Sequence, residues 1–264
     1  MKFTDIKSCY IGPTISPEQF VQEHMFLFLA KGSIDGYDGN KHYVLHPGEA
    51  CVVRKNHLAR YHKNKENNAF EKVVIIFDEV FLKAFQARHA FSLQTYFGKE
   101  AFIKFPPAEL IHNFIHSLTP YFTEEGKLHQ SFADIKREEL LLILLQLNPA
   151  LAGVFFDFGV PGKIDLEAFM QKNYKFNVSI ERFAYLSGRS LSAFKRDFKE
   201  IFQQTPSRWL TGRRLDEAKF LIEKDLKRPS DIYVELGFED LSHFSFAFKK
   251  QFGYAPTALL LKSK

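Results

Sequence analysis

The stretch from Leu236 to Pro256, LGFEDLSHFSFAFKKQFGYAP, repeats the pattern of an earlier one, LSGRSLSAFKRDFKEIFQQTP from Leu186 to Pro206. Leu186, Leu191, Ser192, Phe194, Phe198, Lys199, Phe202 and Pro206 return, at a constant offset of fifty, as Leu236, Leu241, Ser242, Phe244, Phe248, Lys249, Phe252 and Pro256. Two copies are too few for a solenoid, which needs at least three units to bury a continuous core. They describe instead a pair of similar supersecondary units.

Each copy reads as short helix, glycine turn, longer helix. In the first, Ser179 caps a helix through Ile180, Phe183, Ala184 and Leu186, and Ser187-Gly188 breaks it, because glycine accepts the positive φ of a tight turn. Ser190 caps the second helix, whose apolar face is Leu191, Phe194, Phe198 and Phe202 at helical spacing. In the second copy Ser230 is expected to cap Ile232 to Leu236, Gly237 makes the turn, and Asp240 caps a helix buried through Leu241, Phe244, Phe248 and Phe252. Pro206-Ser207 opens a connecting helix through Trp209, Leu210, Leu215, Ala218, Leu221 and Ile222. This is a doubled helix-turn-helix.

Two αα-hairpins that only pack a core would leave an unremarkable outer face. The outer positions here are Ser192, Ala193, Lys195, Arg196 and Lys199 in the first long helix, after Ser190 at its cap, and Ser242, His243, Ser245, Phe246, Lys249 and Lys250 in the second, after Leu241. Small residues that admit a groove, followed by cations for phosphate, suit recognition helices. Asp197 and Glu200 are the acidic exceptions. Charge agrees: residues 161–264 hold 19 Lys+Arg against 13 Asp+Glu, net +6, while residues 1–160 hold 17 against 18, net −1. The basic excess lies with the repeat, as a polyanion-binding module requires.

At these residues, from about Gly162 onward, the chain resembles the AraC-type family of bacterial transcription regulators. The Gly237-Phe238 turn, Ser242, Phe244, Phe248-Lys249 and Pro256 match the family signature, and Arg214-Leu215-Asp216-Glu217-Ala218 matches its connecting helix. That resemblance implies two recognition helices in successive major-groove segments of double-stranded DNA, about 34 Å apart. Base reading then falls on Ser192, Lys195 and Arg196, and on Leu241, Ser242, His243 and Phe246. Arg196 is suited to fork onto guanine O6 and N7. Phe246 departs from the pattern, where a basic or polar residue is usual; it packs on a thymine methyl or makes a protein contact. The resemblance further implies an activator with RNA polymerase as a partner; a cytoplasmic location is expected by default, from the lack of a signal-peptide or membrane-spanning run.

The front half is different. Short apolar or alternating runs, Met25–Ala30, Tyr43–Leu45, Cys51–Val53 and Val73–Phe77, alternate with turns at Lys31-Gly32, Asp38-Gly39-Asn40, Pro47-Gly48 and Glu66-Asn67-Asn68. Such spacing predicts an antiparallel sandwich or small barrel. Beside the C-terminal likeness it resembles the cupin-like regulatory domain of the family, so the fold class expected is a two-domain α+β chain. It comprises a cupin-like antiparallel β-barrel over residues 1–105, a helical segment over 106–160 and an all-α tandem helix-turn-helix domain over 161–264. A barrel interior lined by Phe26, Phe28, Tyr43, Val53 and Tyr61 either holds a small apolar effector or is filled solid by those same side chains; a partner protein on the barrel surface is the other route for a signal.

A cupin-type metalloenzyme fused to a helical domain is the alternative function. Its metal site needs a His-x-His pair with a later Glu and His. No His-x-His occurs; His42 and His46 are four apart, and His57 and His62 fall on opposite sides of a strand. Neither a phosphate loop nor a nucleophile elbow is present, and no catalytic residue, cofactor or metal is expected. Cys9 and Cys51 suit buried small residues in a reducing compartment. Met1-Lys2-Phe3-Thr4-Asp5 lacks the apolar run of a signal peptide, and Leu140 to Leu147 is too short for a bilayer, so no membrane association is expected.

Between the halves, helices are predicted around Phe81, Leu82, Phe85 and Phe91, from Leu110 to Leu118 after Pro106-Pro107, and from Phe132 to Leu147 up to Asn148-Pro149. The last has an apolar face too wide for one neighbour. It packs against the barrel or, as in family relatives, forms a homodimer interface, with Leu141, Leu144 and Leu145 as candidates. Val154 to Gly162, with three phenylalanines, makes a poor flexible linker and should pack against one domain.

Overall fold

In chain order the strands are β1 (Cys9–Ile11), β2 (Phe20–Val21), β3 (His24–Lys31), β4 (Ser33–Tyr37), β5 (His42–Leu45), β6 (Ala50–Val53), β7 (His57–Leu58), β8 (Arg60–Asn64), β9 (Glu71–Phe77) and β10 (Phe102–Phe105). The helices are α1 (Glu79–Arg88), α2 (Glu109–Ser117), α3 (Gln130–Leu147), α4 (Ala152–Phe155), α5 (Leu166–Asn173), α6 (Ile180–Leu186), α7 (Leu191–Phe202), α8 (Pro206–Lys224), α9 (Pro229–Ile232), α10 (Leu241–Phe252) and α11 (Pro256–Lys262). The computed structural model describes residues 9–11, 19–89, 96–122, 128 and 130–262. Two compact units divide between Gly159 and Val160, with Gln19 and Phe20 grouped with the second.

The first unit is built on a five-stranded sheet of order β1-β9-β3-β6-β10, antiparallel except that β1 runs parallel to β9. A second sheet, β5-β4-β8, faces it. Their shared interior holds Met25, Leu27, Leu29, Ile34, Leu45, Cys51, Val53, Val74 and Ile76. The other face of the large sheet, through Phe26, Phe28, Val52, Val73, Ile75 and Phe77, packs under α1 to α4. β3 is therefore buried on both sides, which is why its sequence is a continuous apolar run rather than an alternation. The reversals fall where predicted, with Gly32, Gly39 and Gly48 all at φ between 85° and 88°. Asp38 secures one of them: its carboxylate accepts from the Asn40 and Lys41 amides at 3.0 and 2.8 Å and from the Tyr43 hydroxyl at 2.8 Å.

Period-two parity explains one correction. Phe26 and Phe28 point to the helical layer, whereas Val53, Tyr43 and Tyr61 belong to the inter-sheet core, so the five residues do not line one chamber. Tyr43 and Tyr61 share a cleft with Leu27, Ile34, Cys51 and Phe102 that has room for roughly one water molecule. A second correction concerns α3. Leu141, Leu144 and Leu145 are buried among the unit's own core side chains and are not available to a second chain. The outward apolar row is Phe132, Ile135, Leu142 and Leu147. Leu151, Val154, Phe155 and Phe156 also enter this core. Phe91 lies outside the described residues.

His24, on β3, is only 2% exposed and its Nδ1 accepts the Lys55 amide at 3.2 Å. Burial, then the charges of Lys55, Arg54 and His57, holds its pKa well below the ordinary 6.5. The unfolded chain takes up a proton near that ordinary value and the folded chain does not. Stability contributed here is complete above about pH 6.5 and is lost as pH falls below it. As pH falls below about 6.5 the calorimetric transition of the first unit should lose stability relative to a His24→Gln variant, with a slope that steepens toward about 1.4 kcal/mol per pH unit. Parallel pH profiles for the two proteins would refute the assignment.

Candidate nucleic-acid interface

The second unit carries the repeat as matched helices. α7 and α10 are twelve residues each. Ser190 caps α7 by accepting the Ala193 amide at 3.3 Å, and Asp240 caps α10 by accepting that of His243 at 2.6 Å. Both end in a left-handed residue, Gln203 (φ 55°) and its offset counterpart Gly253 (φ 85°). Phe194 and Phe198 in α7, like Phe244 and Phe248 in α10, are fully buried, and truncating any one to alanine should cost about 3–5 kcal/mol. Trp209 of α8 extends the first core, its ring 5.6 Å from that of Phe198 and 4.6 Å from that of Phe202.

Ser230 does not cap the helix before the second turn. Arg228 occupies the cap and Pro229 begins α9, which is four residues long, and turns then carry the chain to Gly237. Proline at the first helical position presets φ and displaces the expected start by two residues. Ile232 and Leu236 keep their buried places regardless.

The turns themselves are held by arginines. Arg214 of α8 donates Nε to the Tyr174 carbonyl at 2.7 Å, Nη1 to that of Gly237 at 2.9 Å and Nη2 to that of Phe176 at 2.7 Å. Burial lowers its pKa to about 10, so it remains charged at neutral pH. Gly237, at φ 81°, lies so close that a Cβ there would meet the Arg214 guanidinium carbon at 2.9 Å. In the first unit of the repeat, a Cβ on Gly188 (φ 67°) would stand 2.3 Å from the Gly162 carbonyl carbon. Arg189 spans this turn by donating Nη1 to the Ile164 and Ser187 carbonyls at 2.9 and 2.8 Å. Sequence reasoning placed Arg214 in the connecting helix but gave neither arginine this role. For Arg214 it could have been found, because that residue continues the row Leu210, Ala218, Ile222 at four-residue spacing, and a cation in a buried row needs acceptors.

Ser190, Ser192, Lys195, Arg196 and Lys199 are all exposed, as are Leu241, Ser242, His243, Phe246, Lys249 and Lys250. The ring of His243 meets that of Phe238 edge-on at 5.8 Å, so part of its surface serves the fold. Phe246 is 70% exposed, an apolar ring left outside the core on a helix otherwise well packed. Arg196 donates Nε and Nη2 to Asp197 Oδ1 at 3.1 and 2.8 Å, and Arg189 Nε donates to Oδ2 at 3.1 Å. Hydrogen bonds from Arg196 first and Arg189 second keep the Asp197 carboxyl below its ordinary range. Two capped, phenylalanine-anchored helices each present a small-residue start and a cationic end, which can enter a groove and grip its phosphates.

Residues 24–154 match the ExsA N-terminal regulatory domain, and residues 184–262 match a helix-turn-helix domain. The chain belongs to the AraC-type family of bacterial transcription regulators. ExsA of Pseudomonas aeruginosa, an HTH-type transcriptional regulator, is 25% identical over 259 residues, 96% of this chain and 91% of its own. The thermoregulatory protein LcrF of Yersinia pestis is 24% identical over 259 residues, 96% of this chain and 94% of its own. VirF of Yersinia enterocolitica, a virulence regulon transcriptional activator, is 26% identical over 136 residues, about half of each chain. Among the described residues no three His, Cys, Asp or Glu side chains group so as to hold a metal ion. Among the same residues no helix is long and apolar enough to cross a membrane.

Proposed function

We propose that this AraC-type chain is a sequence-specific DNA-binding transcription activator whose second unit reads double-stranded DNA through α7 and α10. The observation that carries this is the doubled helix with its cations outside and its phenylalanines inside. Arg196, with Ser192 and Lys195, reads base edges; Lys199, Lys249 and Lys250 grip phosphates; Leu241, Ser242, His243 and Phe246 present a smaller, more apolar surface to the second groove. The first unit serves sensing or self-association. Contact with RNA polymerase and homodimerisation come to this chain by family likeness, and the row Phe132, Ile135 and Leu142 supplies an apolar surface for the latter, which sedimentation of the purified chain measures. Because the cleft beside Tyr43 and Tyr61 has room for roughly one water molecule, a signal acting on the barrel surface fits better than a large ligand in that cleft.

The test is a salt titration of binding to a selected and a scrambled duplex. Arg196→Ala should cost about 1–3 kcal/mol on the selected duplex only. Lys199→Ala should weaken both duplexes alike and lower the salt slope by about 0.9. Identical behaviour of the two variants would remove the division between base reader and backbone anchor.

A further inference from the structure

An aspartate on a helix that faces a polyanion costs affinity by simple repulsion. Asp197 sits in the middle of α7, between Arg196 and Lys199, and its side chain is only 16% exposed. Its two oxygens are used differently. Oδ2 takes the Nε–H of Arg189, whose own side chain is 8% exposed and is fastened by Nη1 to the Ile164 and Ser187 carbonyls of the turn. Oδ1 takes both Nε–H and an Nη2–H of Arg196, whose side chain is 73% exposed. The carboxylate is thus fixed on its inner side and holds a solvated guanidinium on its outer side.

We propose that Asp197 is a positioning residue for base reading: it clasps Arg196 along the Nε–Nη2 side and presents the Nη1–Nη2 end to the edge of a guanine, with Arg189 locking the clasp to the helix-turn-helix turn. The idea rests on the DNA-binding reading above. A free arginine side chain loses rotamer entropy when it docks, whereas one already held by a carboxylate loses less, so the planar fork is formed before the base arrives. The end-on fork matches guanine O6 and N7, the commonest specific contact in the major groove. If Asp197 served only to neutralise Arg189, its removal would lower stability without altering which sequence is preferred.

The experiment uses the full chain and two duplexes, one selected from a random pool by the wild-type protein and one scrambled. The readout is the ratio of the two affinities at fixed salt, with Trp209 fluorescence reporting an intact second unit. Asp197→Ala should lower the ratio about tenfold, while affinity for the scrambled duplex holds or rises because an anion has left the interface. In an Arg196→Ala background the same change should leave the ratio where Arg196→Ala put it. Should Asp197→Ala fail to fold, Asp197→Asn keeps an Oδ1 acceptor without the charge, and the ratio should fall part of the way. An unchanged ratio in a folded Asp197 variant, or an equal drop that persists without Arg196, overturns the proposal. A wild-type ratio of one overturns the DNA-reading function itself, and so tells the two failures apart.

Discussion

Arg214→Met should lower the stability of the second unit by about 3–5 kcal/mol, enough to abolish DNA binding well below the wild-type unfolding temperature. The guanidinium holds three main-chain carbonyls, those of Tyr174, Phe176 and Gly237, within 2.9 Å. Methionine fills much of the same volume and removes the desolvation cost of the charge. It donates nothing, however, and each carbonyl left unsatisfied in a partly buried setting costs about 1–3 kcal/mol. Loss of donors therefore outweighs relief of the charge. Arg214→Lys, with one compact ammonium, can reach fewer of the three carbonyls at once and should recover only part of the loss. The chain has a single tryptophan, Trp209, packed in this unit against Tyr174, Phe198 and Phe202, so urea unfolding followed by its fluorescence reports this unit alone. A midpoint unchanged in Arg214→Met would mean that the three carbonyls find other donors.

What could be read from the chain was whatever its pattern encodes locally. The caps Ser179, Ser190 and Asp240, the turn glycines Gly188 and Gly237, and the phenylalanine rows of α7 and α10 are short-range features, repeated twice, and each adopts the conformation its residues favour. Parity failed where periodicity carries no information. β3 is buried on both faces, so the run Met25–Ala30 does not say which side of the sheet Phe26 takes. α3 raises the same difficulty, since from Leu140 to Leu145 every side chain is apolar and only the surrounding helices decide that Leu142 faces out and Leu141 in. β4 and β8 were missed because their outer faces are solvated, and Ser33, Asp35 and His62 interrupt the apolar signal.

The site was legible in its positions but not in its connections. Lys195, Arg196 and Lys199 are exposed where helical spacing puts them. That Asp197 joins Arg196 to Arg189, and Arg189 to Ile164, depends on contacts spanning up to twenty-five residues. No spacing rule reports a side chain bonding a carbonyl in a turn folded over it. In both units cations that work from inside went unread: Arg189 and the role of Arg214 in one, Arg137 and Lys136 in the other.

Arg137 gives the other large effect. It lies in the buried row of α3 with Ala133, Leu140, Leu141 and Leu144, and its guanidinium carbon sits 4.0 Å over the centre of the Phe81 ring. Nη1 donates to Asp134 at 3.0 Å, while Nη2 pairs with Asp78. Asp78 has a second task, because its Oδ1 accepts the Phe81 amide at 2.9 Å and so caps α1. One carboxylate therefore ties the start of α1 to the middle of α3. Asp78→Asn keeps a cap acceptor but removes the charge, leaving Arg137 buried with only the exposed Asp134 as counter-ion. Breaking a fully buried pair costs about 3–5 kcal/mol, and because Asp78 is partly exposed about 2–3 kcal/mol is expected here. Arg137→Met should cost a similar amount, through the lost cation–π contact and the carboxylate left behind. The double variant has no charge to strand, and α3 gains an apolar side chain in an apolar row. Its cost should fall short of the summed singles by about 1–3 kcal/mol. Calorimetry of the first unit's transition in the four proteins measures this coupling, and strict additivity would show that Asp78 and Arg137 stabilise the unit independently rather than as one link between α1 and α3.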